Sequence, residues 1–162
     1  ARNDSNEWEE GDSLFVQGYD FGPLYSGDFT GDGHPDILAV GDAGFAIIRI
    51  EGDRVSLEEL QSWRSDEERR VQHELAVGDV NADGYSDMVS LDAGEQMLEI
   101  FTFSQNENML YATGFKIYES RIFSGGEPRE WQPSQVIIED LTNDNLNDVL
   151  LLTHDRLLIY KQ

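Results

Sequence analysis

The chain has 162 residues, enough for one domain with a real core, and its 33 Asp and Glu against 11 Lys and Arg give a formal charge of -22. An excess of that size repels phosphate, which argues against nucleic acid and anionic membrane surfaces as partners. Hydrophobic content of 39%, with three Trp, six Tyr and eight Phe, is the composition of a folded chain, and the lack of Cys removes disulfides, thiolate metal sites and Cys nucleophiles.

Residues 1–12 are polar and read as a disordered or extended segment ahead of a domain over 13–162. They are too polar for the apolar region of a signal peptide, and no stretch approaches the roughly 18 apolar residues of a membrane span. Asn3-Asp4-Ser5 matches a glycosylation acceptor. Leu14-Phe15-Val16-Gln17 is a strand candidate with no evident partner, and Leu24-Tyr25 begins the first complete unit.

A nine-residue acidic segment then occurs three times. Asp28-Phe29-Thr30-Gly31-Asp32-Gly33-His34-Pro35-Asp36 is followed by Ile37-Leu38-Ala39-Val40. Asp79-Val80-Asn81-Ala82-Asp83-Gly84-Tyr85-Ser86-Asp87 is followed by Met88-Val89-Ser90-Leu91, and Asp140-Leu141-Thr142-Asn143-Asp144-Asn145-Leu146-Asn147-Asp148 by Val149-Leu150-Leu151-Leu152. Every copy has Asp at positions one, five and nine and an apolar run directly after it.

The flanks repeat as well. Turn-forming Asp42-Ala43-Gly44, Asp92-Ala93-Gly94 and Thr153-His154-Asp155 lead into further apolar stretches at 45–50, 97–103 and 157–160. Short strand candidates at 74–77 and 135–138 precede the second and third loops, and fourth strands are expected at 54–60 and 110–118. Ser56-Leu57-Glu58-Glu59 also fits a helix capping box, so a helix running towards Val71 competes with the strand. The repeat context favours a strand to about residue 60, then a charged linker.

The copies start 51 and 61 residues apart, close to the period of one four-stranded propeller blade. The longer interval contains Ser124-Gly125-Gly126-Glu127-Pro128, Trp131 and Pro133, which read as an inserted surface loop. The expected fold is all-β, a propeller-type array of about three four-stranded antiparallel blades with loops at 28–36, 79–87 and 140–148. Propellers close with about four to eight blades, so three make an incomplete propeller. Its completion would come from another chain, as in a homodimer closing a six-bladed ring, or from the remainder of a longer propeller.

Side-chain oxygens at positions one, three, five and nine, with a tight turn at six, make a cage for a hard cation, and calcium is the natural occupant. The expected ligands are Asp28, Thr30, Asp32 and Asp36 with the His34 carbonyl, then Asp79, Asn81, Asp83 and Asp87 with the Tyr85 carbonyl. The third set is Asp140, Thr142, Asp144 and Asp148 with the Leu146 carbonyl, for up to three Ca2+ per chain. Three divalent cations would offset six of the 22 excess negative charges. Gly33, Gly84 and Asn145 stand where the turn needs a permissive backbone. An EF-hand needs Glu at position twelve and flanking helices, but position twelve is Ala39, Ser90 and Leu151, each in a strand-like run.

These loops and their flanks resemble the FG-GAP, or VCBS, repeats, over roughly residues 14–162. Phe21-Gly22 resembles the Phe-Gly element, while no Gly-Ala-Pro element appears, so the likeness is to the calcium-loop subset. The resemblance implies structural calcium sites that pin the first two strands of each blade. It also implies a non-catalytic interaction module that binds a protein or glycan outside the cytoplasm, in an extracellular, periplasmic or cell-surface setting.

Two alternatives belong to other classes. One is a structural or assembly subunit of a larger complex or filament, for which Trp63, Tyr118, Phe123 and Trp131 are the candidate contact aromatics. The other is a carbohydrate-active enzyme such as a polysaccharide lyase, some of which carry similar propellers. His34, His73 and His154 lie in loop, linker and turn contexts, and the chain holds no Gly-x-Ser-x-Gly, His-Glu-x-x-His or phosphate-binding glycine loop. No pair among the 33 acids is singled out for glycoside hydrolysis. No catalytic residue is therefore expected.

Overall fold

A computed structural model describes residues 11–17, 20–41, 44–62, 72–104, 109–117 and 132–162. The chain divides into two compact units. One contains residues 1–27 and 34–64, and the other residues 28–33 and 65–162. All elements among the described residues are strands, and each sheet is antiparallel.

The first unit holds β1 (Phe21–Gly27), β2 (Asp36–Gly41), β3 (Gly44–Glu51) and β4 (Arg54–Ser62), paired in that order. Leu38, Ala39, Phe45, Ala46 and Ile47 are buried, as the apolar runs of β2 and β3 require. The competing helix over 56–71 does not form where the chain is described. Residues 54–62 pair along β3 with a bulge at Ile47/Ile48, so the ladder outweighs a capping-box match whose Ser56 hydroxyl instead donates to Glu58 Oε1 at 2.9 Å. The segment 14–17 is not a strand, and Phe15 is 88% exposed. Just before it, the Asp12 carboxylate accepts the N–H groups of Val55 (3.1 Å) and Ser13 (2.9 Å), which hold its pKa below the ordinary carboxylate value.

The second unit holds β5 (Gln72–Gly78), β6 (Asp87–Asp92), β7 (Met97–Thr102) and β8 (Leu110–Lys116) in one sheet. A second sheet has β9 (Gln135–Glu139), β10 (Asp148–Leu152) and β11 (Leu157–Tyr160), in the order β11-β10-β9. Val89, Leu91 and Leu98 of the first sheet and Val136, Val149 and Leu151 of the second form one buried cluster. Every residue of β6 is buried, the polar Asp87, Ser90 and Asp92 along with Met88, Val89 and Leu91. Gly78 of β5 lies against Ile138 of β9, where a Cβ would stand 2.6 Å from Ile138 Cγ2. Phe115 of β8 and Tyr160 of β11 pack with ring centroids 5.2 Å apart.

Among the described residues, sheets of four, four and three up-and-down strands with no closed barrel are consistent with incomplete propeller-like blades. Residues 124–131 of the expected insertion, which runs on to Pro133, the four contact aromatics, Asn3-Asp4-Ser5 and most of the linker after residue 62 lie outside the described residues. Among the described residues, no helix is long and apolar enough to cross a membrane.

Candidate metal-binding loops

Each acidic segment joins the first strand of a sheet to the second. The registers are equivalent, with Gly27 opposite Asp36, Gly78 opposite Asp87 and Glu139 opposite Asp148. The ninth-position Asp is thus the first residue of β2, β6 or β10, and all three are buried. A carboxylate costs free energy there unless something compensates its charge.

The compensation differs between copies. Arg49 brings Nε to 3.7 Å from Asp36 Oδ1. Asp87 accepts the N–H of Val80 at 3.0 Å and that of Phe103 at 3.2 Å. Burial nevertheless pushes its pKa up to about 7, and the nearby charges of Asp83 and Asp79 add to the rise. Asp148 accepts the Leu141 N–H at 3.1 Å through one oxygen, while its other oxygen, Oδ1, is buried with no hydrogen-bond partner. Thr142 Oγ1, at position three of the same loop, is buried in the same condition.

The first-position Asp is wrapped by the turn it opens. Gly31, Asp32 and Gly33 donate their N–H groups to Asp28 at 2.7, 3.2 and 2.8 Å. Asp83 and Gly84 donate theirs to Asp79 at 3.3 and 2.9 Å, and Asp144 and Asn145 theirs to Asp140 at 3.2 and 3.0 Å. The fifth-position Asp accepts from two residues on, Tyr85 to Asp83 at 2.9 Å and Leu146 to Asp144 at 3.0 Å. In the second loop, Asn81 Nδ2 also donates to Asp83 Oδ2 at 2.9 Å.

Two turns of left-handed backbone produce this wrapping. Position six has φ of 81°, 92° and 67° at Gly33, Gly84 and Asn145, as the residue types suggest. Position four is left-handed too, at Gly31 (71°), Ala82 (60°) and Asn143 (58°), which sequence reasoning missed. Gly31 and Asn143 carry a signal for it, and Ala82 carries none.

The structure brings Asp79, Asn81 and Asp83 into one hydrogen-bonded group, and it gathers Asp140 and Asp144 around the third turn. In the first loop, Asp28, Thr30 and Asp32 group with the second unit and His34 and Asp36 with the first. His34 is exposed, and its expected contribution is a main-chain carbonyl, as it is for Tyr85 and Leu146. Among the described residues, no group of three or more His, Cys, Asp or Glu side chains is gathered as a metal cluster. The carboxylates lie on backbone N–H groups instead. The donor set is all oxygen, and in the third loop two of its members, Asp148 and Thr142, hold buried oxygens that no hydrogen bond satisfies. That chemistry suits a hard cation.

Four antiparallel strands with an acidic nine-residue hairpin between the first and second define a blade repeat with an oxygen-lined loop. Residues 28–90 match the FG-GAP-like repeat, a span that runs from the first loop through the second and into β6. The match is consistent with an FG-GAP-like repeat family, in agreement with the resemblance carried by the loops. No curated protein matches the chain.

Proposed function

We propose that the chain is a calcium-stabilised, non-catalytic interaction module that binds a protein or glycan partner outside the cytoplasm. The observation that carries the calcium part is the third loop, where Asp148 Oδ1 and Thr142 Oγ1 are both buried and lack hydrogen-bond partners. Bound calcium would supply positive charge and six to eight coordination positions for oxygen. Asp140, Thr142, Asp144 and Asp148, with the Leu146 carbonyl, would hold it. The equivalent residues of the other loops are Asp79, Asn81, Asp83, Asp87 and Tyr85, and Asp28, Thr30, Asp32, Asp36 and His34.

The placement outside the cytoplasm follows from the need for plentiful calcium to hold such sites occupied. The interaction role is supported by the FG-GAP-like repeat over residues 28–90. Native mass spectrometry in calcium and after chelation tests the reading, with up to three ions per chain expected. No bound calcium, together with unchanged stability in chelator, would remove it.

A second reading, an assembly subunit, is favoured by β11. Among the described residues its outer edge has no strand beside it, and Leu157 and Ile159 are 61% and 53% exposed. The same spectra decide it, because a homodimer closing a six-bladed ring doubles the mass.

A further inference from the structure

Position eight has no ligand role in the loops, yet wherever it carries a donor it reaches the loop before. The Ser86 N–H donates to the Asp28 carbonyl at 2.7 Å. Asn147 Nδ2 donates to the Asp79 carbonyl at 2.9 Å, partly buried. The acceptor in both cases is the main chain of position one in the preceding loop. One link uses a backbone group and the other a side chain, so one geometric need is met by two different donors. In the first loop position eight is Pro35, which has no N–H to give.

We infer that Asn147 is a positioning residue for the cation site of the second loop, and that occupancy of the second and third loops is coupled through it. The inference rests on the calcium reading above. Holding the Asp79 carbonyl fixes the Cα from which the Asp79 carboxylate projects. Asn147 is also the direct neighbour of Asp148, whose buried Oδ1 lacks a hydrogen-bond partner. A cation drawing on Asp148 therefore orders the main chain that carries the Asn147 amide. Linkage makes the effect reciprocal, so filling either loop raises the affinity of the other.

Terbium luminescence on the full chain tests this, with Tyr85, at position seven of the second loop, as the sensitiser. The part of the emission lost in Asp83→Ala reports the second loop, and calcium competition gives its affinity. Asn147→Ala is expected to weaken the second loop roughly three- to tenfold, the scale of one neutral hydrogen bond. Asn147→Gln, which keeps the amide, should recover most of that loss. Asn147→Asp, of the same shape but with no donor, gives the same expectation as Ala should the latter not fold.

Asp144→Asn, which disables the third loop, should weaken the second in the wild-type background and have no further effect on it beside Asn147→Ala. Unchanged second-loop affinity in both Asn147→Ala and Asn147→Asp, or an equal effect of Asp144→Asn in both backgrounds, overturns the positioning role and leaves the calcium reading intact. Absence of terbium and calcium binding by the wild-type chain overturns both.

Discussion

Gly31 lies against the ring of Tyr85, so that a Cβ at position 31 would stand 2.4 Å from Tyr85 Cε1. The fourth position of the first loop is therefore constrained twice, by its left-handed backbone and by an aromatic ring from the second loop. Gly33, two residues on, has positive φ but open space where a Cβ would stand. The pair separates the two constraints.

Gly33→Ala should lower stability by about 1–2 kcal/mol, the cost of placing an L-residue in the left-handed region. Gly31→Ala should cost clearly more, and Tyr85→Ala in the same chain should recover part of the excess. Thermal or urea unfolding of the three variants measures it. Equal losses for the two glycines would show that the ring simply moves aside.

Ala82 occupies the equivalent backbone position in the second loop, with φ of 60° and an exposed side chain. Ala82→Gly should stabilise the chain by roughly 0.5–1 kcal/mol, since relief of the left-handed strain exceeds the added entropy of the unfolded chain. The midpoint of denaturant unfolding would rise. A lower midpoint would mean that the methyl group makes a packing contribution at this turn.

Asp83→Ala removes one proposed ligand and the acceptor for the Tyr85 N–H. Its melting temperature should fall well below wild type in calcium and differ little from wild type in chelator. At calcium concentrations 100 times the dissociation constant, one lost site corresponds to about 2.7 kcal/mol. Equal losses in both buffers would assign Asp83 to the turn alone.

Asp87 gives a pH dependence whose sign is fixed by its raised pKa. Without metal, the folded chain keeps the Asp87 proton up to about pH 7, whereas the unfolded chain releases it near 3.8. That contribution to stability is complete below the unfolded value and is lost as pH rises through the folded one. In chelator, melting temperature should fall between about pH 4 and 7. Asp87→Asn should flatten this fall without raising stability, because one of the Val80 and Phe103 N–H groups then faces an amide donor. A wild-type profile in chelator that rises over this range would contradict the burial of an uncompensated carboxylate.

The repeat was the most legible part of the chain, because Asp at one, five and nine followed by an apolar run marks both the loop and the next strand. Strands β1–β11 fall where the flanks placed them, to within a few residues at their ends. The ambiguous stretch at 54–62 became a strand because β3 offered a ladder, a tertiary effect that local capping signals cannot anticipate. Leu14-Phe15-Val16-Gln17 has the residue types of a strand, and strand propensity without a partner edge formed none. The role of Asn147 was invisible for another reason. It depends on which loop lies beside which, and the three residues at position eight share no chemistry.

The grouping of Asp28–Gly33 with the second unit has a consequence for dissecting the chain. Phe29 packs edge-on against Phe103 at 5.0 Å, and the Asp28 carbonyl accepts from Ser86. In the first loop, the boundary written in the residues and the boundary of packing therefore do not coincide. Excising the second unit from residue 65 onwards would leave behind Asp28–Gly33, and with them the partners of Phe103 and of the Ser86 N–H.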